Sequence, residues 1–236
     1  MPTTKKNIVL DIDATLVHTH GEIEDFSMLK IYSDADRIKY RRKLYRMKLI
    51  DVVSVSGAGM VTVLAGIYRP YLREFLDFCF EYFDNIIIWS AGKKKYVEKM
   101  CEIMFPFKEQ QPMLIYTYDD CIVGEEDYLK KPLKKLYNDP RTKGKLNEKN
   151  TFVLDDRDDT FSLNSKNGIM IPEFESDMSV EDITDHEDSA FLQLMAWLNT
   201  KEVKECNDIR KLKKDRIFKK SIKNYQIQLK KEKMAK

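Results

Sequence analysis

Short continuous apolar runs, spaced by segments long enough for a helix, constrain this chain more than any other property. Ile8-Val9-Leu10, Ile86-Ile87-Ile88-Trp89, Phe152-Val153-Leu154 and Ile169-Met170-Ile171 are apolar without alternation. Alternating strands line a half-exposed sheet, whereas continuous runs need cover on both faces, as in a parallel sheet. Helix-spaced apolar residues lie between them, at Tyr71–Phe83 (Leu72, Phe75, Leu76, Phe80) and at about Lys93–Met104. This alternation predicts an α/β fold with a mostly parallel central sheet and helices on both faces. In such sheets ligands bind beyond the carboxyl ends of the strands, which is where Asp11 and Asp13 fall. Side chains two apart on extended chain point the same way, so both carboxylates should face outward and Ile12 back into the fold. Taken alone, the pair suits either a strand-capping turn, where Asp is common, or a catalytic centre.

Residues 20–43 are polar and charged and read as an insertion after the first strand. Segments 44–55 and 60–68, divided by Ser56-Gly57-Ala58-Gly59, read as a β-hairpin because glycine adopts positive φ at little cost. Residues 113–118 predict another strand, 173–189 an acidic linker, and Ala190–Leu198 an apolar helix. The expected organisation is a body over residues 1–199, with the insertion and hairpin at about 20–68, followed by a basic helical tail over 200–236. Residues 201–236 carry 14 Lys/Arg against 5 Asp/Glu, while the first 200 residues carry 27 against 34. An acidic body with a basic tail suits nucleic acid, an acidic protein or a membrane surface, or is a solvated helix without a partner. Residues 210–216 (Arg-Lys-Leu-Lys-Lys-Asp-Arg) have the composition of a nuclear localisation signal. The four cysteines (Cys79, Cys101, Cys121, Cys206) form no Cys-x-x-Cys or Cys/His pattern, which argues against a zinc ribbon or disulfide framework. No apolar run reaches membrane-spanning length, and Met1–Lys6 lead directly into a strand. A soluble intracellular protein, nuclear or cytoplasmic, without a membrane partner is expected; oligomeric state is not readable from the sequence.

Three apolar strands end in polar residues that a parallel sheet would bring together: Asp11/Asp13, Ser90 and Asp155/Asp156, with Lys130 and Lys131 between the last two. Each alone has an ordinary reading as a turn or surface group. In this order they are similar to the four motifs of the haloacid dehalogenase superfamily. The tighter resemblance is to its small C-terminal-domain phosphatase branch, also called nuclear-LIM-interactor-interacting-factor-like. Asp11-Ile12-Asp13-Ala14-Thr15-Leu16-Val17-His18 fits the branch's opening Asp-x-Asp-x-Thr-Leu-Val-His. Arg69-Pro70-Tyr71-Leu72-Arg73-Glu74-Phe75-Leu76 fits its Arg-Pro-x-Leu-x-Glu-Phe-Leu. Trp89-Ser90-Ala91 and Asp155-Asp156-Arg157-Asp158-Asp159 resemble the later motifs, so the likeness spans residues 5–198.

The resemblance implies a Rossmann-like fold and a Mg²⁺-dependent phosphatase. Asp11 is then the nucleophile that forms an aspartyl-phosphate, and Asp13 the acid that becomes the base for water. Mg²⁺, a hard ion that takes oxygen ligands, is implied at the carboxylates of Asp11 and Asp156 and the backbone carbonyl of Asp13, with Asp155 and Thr15 supporting them. Ser90 is implied to bond a phosphoryl oxygen. Lys131 is implied to neutralise transition-state charge, with Lys130 the competing assignment. Ala14 and Gly92 depart from the pattern, standing where the family often has Glu and a small hydroxyl residue; at Gly92 the backbone N–H remains available. The interval from Ser90 to Lys131 leaves no space for a large cap, which favours a phosphate displayed on a macromolecule. The family implies phosphoserine or phosphothreonine in a flexible peptide, such as the RNA polymerase II C-terminal tail, with the hairpin at 44–68 forming part of its groove. Two alternatives are a nucleic-acid end phosphatase, helped by the basic tail, and a non-catalytic phosphoprotein- or peptide-binding module.

Overall fold

A computed structural model describes residues 2–20, 35, 38–52, 59–124, 128–185 and 187–218. In chain order, β1 (Asn7–Leu10) leads into β2 (Val17–His20), and β3 (Leu44–Val52) and β4 (Gly59–Tyr68) form the hairpin. Then α1 (Leu72–Tyr82), β5 (Asn85–Trp89), α2 (Lys94–Met104) and β6 (Leu114–Tyr116) alternate. A short ribbon of β7 (Ile122–Val123) and β8 (Leu129–Lys130) precedes α3 (Leu133–Asn138), β9 (Thr151–Asp155) and β10 (Gly168–Met170). Helices α4 (Val180–Asp185), α5 (Ala190–Leu198) and α6 (Lys201–Glu205) follow.

The central sheet is parallel, in the order β10-β9-β1-β5-β6. The pleat sends Ile8, Leu10, Ile86, Ile88, Phe152 and Leu154 toward α1, α2 and α5, and Val9, Ile87, Trp89 and Val153 toward α3. Every one of these side chains is 3% exposed or less. Both faces are therefore dry, which is why the runs do not alternate. Phe75 of α1 stacks on Phe191 of α5 with ring centroids 4.3 Å apart, tying two helices on one face together.

The expected hairpin is present, and Val17–His20 joins it as a third strand in an antiparallel sheet ordered β2-β4-β3. The turn around residues 53–58 and most of the insertion lie outside the described residues; residues 38–43 form a 3-10 helix. The segment expected as an acidic linker is a correction. It contains α4, and Phe174 and Met178 ahead of that helix and Ile183 within it are buried with Ile67 of β4, which fastens the segment to the sheet. The described part of the tail consists of α6 and a 3-10 turn at Ile209–Lys211. Its Val203, Ile209, Leu212 and Ile217 are buried in the main core. Residues 219–236 lie outside the described residues. Among the described residues no helix is long and apolar enough to cross a membrane.

Candidate active site

β1 is the middle strand, and the pairs Leu10↔Ile88 and Leu10↔Leu154 end it level with β5 and β9. Asp11 is therefore level with Asp155, the last residue of β9, and Ser90 follows one residue further along at the end of β5. The Asp11 backbone N–H still donates to Leu154 O at 3.0 Å, so the aspartate is held in strand geometry. Ile12 turns inward and is fully buried. The chain then reverses through Ala14, whose φ of 57° lies in the left-handed region. That turn bridges Asp13 to Val17 and starts β2.

The Lys131 ammonium donates to Asp11 Oδ1 at 2.5 Å and to Asp155 Oδ2 at 2.7 Å. Lys130 instead pairs with Ile122 in the ribbon and is half-buried, so Lys131 is the lysine that meets the carboxylates. Its backbone is pinned from both sides: its N–H donates to Thr160 O at 2.6 Å, and Asn164 Nδ2 donates to its carbonyl at 3.1 Å. Pro132 keeps the residue before it extended, and α3 starts immediately after. Thr15 Oγ1 donates to Asp156 Oδ1 at 3.0 Å and accepts from the Asp156 backbone N–H at 3.1 Å. Asp155 Oδ1 accepts the Arg157 N–H at 3.0 Å.

Asp11, Asp155 and Asp156 each offer an oxygen within 4.8 Å of the others. A set of carboxylate oxygens without nitrogen or sulfur donors fits Mg²⁺ and not a thiophilic metal. Burial pushes the Asp11 carboxyl well above its usual range; the Lys131 ammonium opposes this and the Asp155 charge reinforces it. Asp156 is also raised, first by burial and then by Asp155. Burial alone would lower Lys131, but Asp11 and Asp155 outweigh it and hold the group above the usual lysine value, as an ammonium. The cluster holds more negative charge than one lysine balances, which a divalent cation would relieve.

Asp13 is half-buried, and its Oδ1 accepts from the Tyr96 hydroxyl and, at 3.0 Å, from Thr19 Oγ1. Burial raises its pKa, and these two hydrogen bonds pull against that. Ser90 is buried and anchored by its N–H to Tyr116 O at 3.1 Å. The Gly92 N–H donates to Ser90 Oγ at 3.0 Å. It is therefore turned onto the serine, which keeps its own hydroxyl proton to donate.

Sequence reasoning assigned no role to Arg69, yet it is buried and organises the site from behind. Its guanidinium donates to Thr15 O (3.0 Å), Pro172 O (2.7 Å) and Asp188 Oδ2 (2.8 Å), and lies 5.4 Å from the ring centroids of both Phe174 and Phe191. The signal in the sequence is the Arg69-Pro70-Tyr71-Leu72 motif itself. A cavity of about 700 Å³ opens beside Arg69, lined by residues such as Ile67, Tyr71, Leu72 and Phe107; the carboxylate cluster does not line it.

A parallel sheet whose middle strand ends in Asp-x-Asp, faced by a buried lysine and a second aspartate pair, defines a phosphatase-class fold of the haloacid dehalogenase type. The sequence matches the NLI interacting factor-like phosphatase family over residues 6–210, and the chain belongs to that family. It is 30% identical over 175 residues to the putative CTD phosphatase-like protein 355R of Invertebrate iridescent virus 6, covering 72% of this chain and 86% of the relative. It is 31% identical over 197 residues to CTD small phosphatase-like protein 3 of Caenorhabditis elegans, covering 83% of this chain but only 54% of that relative. The solved fission yeast RNA polymerase II CTD phosphatase Fcp1-R271A, bound to beryllium fluoride, superposes with a TM-score of 0.56. That match has 16% identity and covers 83% of this chain and 52% of the other, a likeness of fold.

Proposed function

We infer that the protein is a Mg²⁺-dependent phosphoserine/phosphothreonine phosphatase that works through an aspartyl-phosphate. The observation that carries this reading is the Lys131 ammonium bridging Asp11 and Asp155 at the end of the middle strand. With Oδ1 held by Lys131, the other oxygen of Asp11 attacks phosphorus. The P–O ester bond breaks, its electron pair goes to the leaving oxygen, and that oxygen takes the proton of Asp13. Water then attacks the aspartyl-phosphate and gives a proton to Asp13; the P–O bond to Asp11 breaks and phosphate leaves, restoring both carboxyl groups. Lys131 and Ser90 stabilise the phosphoryl oxygens as charge spreads over them. Asp11, Asp156 and the Asp13 carbonyl would hold Mg²⁺, which shields the nucleophile from the phosphate's charge. Thr15 fixes Asp156, and Asp155 holds the lysine that grips Asp11.

A peptide substrate is supported by two features. The described residues between Ser90 and Lys131 are taken up by α2, β6 and the β7–β8 ribbon and form no cap domain there. The hairpin also presents Ile50 and Val61 as an exposed cross-strand pair, 65% and 58% accessible, which suits a chain laid along it. The viral and nematode relatives are both named CTD phosphatase-like, which favours a phosphorylated CTD peptide as substrate; a nuclear or cytoplasmic setting belongs to this reading. The segment after residue 200 packs into the same domain through Val203, Ile209, Leu212 and Ile217. Arg210 pairs with Glu148 and Lys214 donates to backbone carbonyls, so both are tied to that domain.

The test is hydrolysis of p-nitrophenyl phosphate, phosphopeptides and 3′-phosphorylated oligonucleotides, with Mg²⁺ or with EDTA. Asp11→Asn is expected to lower kcat by about 10³-fold or more while leaving the fold intact. Absence of turnover by the wild type on every substrate overturns the enzyme reading, and turnover retained by Asp11→Asn overturns the intermediate. Preference for oligonucleotides would transfer the assignment to nucleic-acid ends.

A further inference from the structure

A carboxyl group that must deliver one proton in one direction has two equivalent oxygens, and something must choose between them. At Asp13 three hydroxyls from three elements make that choice. Tyr45 OH of β3 lies 2.7 Å from Thr19 Oγ1 of β2, and Thr19 Oγ1 lies 2.5 Å from Tyr96 OH of α2. Thr19 and Tyr96 both reach Asp13 Oδ1. Each hydroxyl has a single proton to donate. Three protons serve four contacts: Tyr45 donates to Thr19, Tyr96 donates to Asp13 Oδ1, and the Thr19 proton is shared between Tyr96 OH and Asp13 Oδ1, so the chain of hydrogen bonds terminates on Asp13 Oδ1.

Two glycines make room for this chain. In the antiparallel sheet Gly66 faces both Thr19 and Tyr45 in register. A Cβ there would lie 2.2 Å from the Tyr45 hydroxyl, so the side chain missing from β4 is what lets Tyr45 reach across to β2. A Cβ at Gly92 would lie 2.7 Å from the Tyr96 ring. The missing side chain at Gly92 thus leaves space for the tyrosine.

We propose that Tyr96 and Thr19 are positioning residues that hold Asp13 Oδ1, so that Oδ2 alone gives the proton to the leaving oxygen and takes one from water. Tyr45 keeps Thr19 in place. This rests on the phosphatase reading above and adds to it a role for the insertion sheet: it braces the acid as well as flanking the substrate.

The experiment compares kcat/KM on p-nitrophenyl phosphate and phenyl phosphate, because kcat/KM reports the step in which the leaving group departs. p-Nitrophenolate departs with little help from an acid, whereas phenolate needs the proton. Tyr96→Phe is expected to lower kcat/KM on phenyl phosphate by about 10- to 100-fold and on p-nitrophenyl phosphate by less than about 3-fold. Made in an Asp13→Asn background, the same change is expected to have no further effect. An equal loss on both substrates, no loss on either, or an added loss in the Asp13→Asn background overturns the proposal. If Tyr96→Phe does not fold, Thr19→Val against Thr19→Ser carries the same comparison, with the serine variant expected to restore the phenyl phosphate rate. A wild type without turnover, or an active Asp11→Asn, speaks instead against the phosphatase reading, so the two failures are distinct.

Discussion

An ammonium sealed from water is costly unless opposite charge lies against it, and Lys131 at 2% side-chain exposure has Asp11 on one side and Asp155 on the other. Lys131→Met keeps most of the volume and removes the charge, leaving a crowded carboxylate cluster without its counter-ion. It is expected to cost about 3–5 kcal/mol in urea unfolding without divalent metal, and millimolar Mg²⁺ should recover part of that. An unchanged midpoint would show that the pair is not sustaining the fold. Much of this centre was legible in the sequence, because each acidic or hydroxyl group ends an apolar run whose burial fixes where the strand stops. Lys130 and Lys131 could not be separated there, since neighbouring lysines differ only in which one the backbone turns inward at Pro132. Tyr96 was not legible at all: an aromatic residue on an amphipathic helix normally packs in the core, and only the antiparallel sheet brings Thr19 to meet its hydroxyl.

At the scale of elements, Arg69 joins four of them. Sitting just past β4, it reaches the loop after β1, the chain after β10 and the residues that start α5. Lysine has the charge but not the planar fork that serves several acceptors at once. Arg69→Lys should therefore lower stability by about 2–4 kcal/mol and raise the Mg²⁺ concentration needed for half-maximal activity, because the Thr15 carbonyl it holds belongs to the residue that orients Asp156. A melting temperature within a degree of wild type would sink that reading. The long elements were legible, since four or more apolar positions at one period outweigh local noise. The short ones were not. β2 carries two histidines and a threonine, β7 and β8 have two residues each, and α4 has only Val180 and Ile183 to mark its face. Their pairing is decided by neighbours distant in sequence.

Across the whole molecule, the segment after residue 200 is part of the core. Val203 and Ile209 are fully buried, and Leu212 and Ile217 nearly so. Burying four such side chains is worth roughly 5–10 kcal/mol as an upper bound, comparable to the entire stability of a typical domain. Ending the chain at residue 200 should give insoluble or unfolded protein; a soluble chain of residues 1–200 that unfolds cooperatively at the wild-type urea midpoint would contradict the packing. Lys214 provides a pH signature for the same segment. Burial lowers its pKa to about 8 while it donates to Lys166 O and Ile209 O. Below that pH the folded and unfolded chains both carry the proton, and the fold bears a poorly solvated ammonium. Between about 8 and 10.5 the folded chain has released a proton that the unfolded chain keeps, so stability rises with pH across that window. Relative to Lys214→Met, the gain should be about 1 kcal/mol after allowance for solvent screening. A flat difference between the two proteins from pH 8 to 10.5 would refute it.

The strand order also bears on how the protein is made. β1 is synthesised first but belongs in the middle of the sheet, where Asn7 meets Asn85 on one side and Thr151 on the other. A nascent chain on the ribosome carries Ile8-Val9-Leu10 with no edge to join until β5 emerges, and the opposite flank stays open until β9 does. Non-local pairing of this kind folds slowly and prolongs the exposure of apolar strand. Of the five strands of that sheet the first therefore waits longest for both its neighbours, and translation order and folding order run against each other.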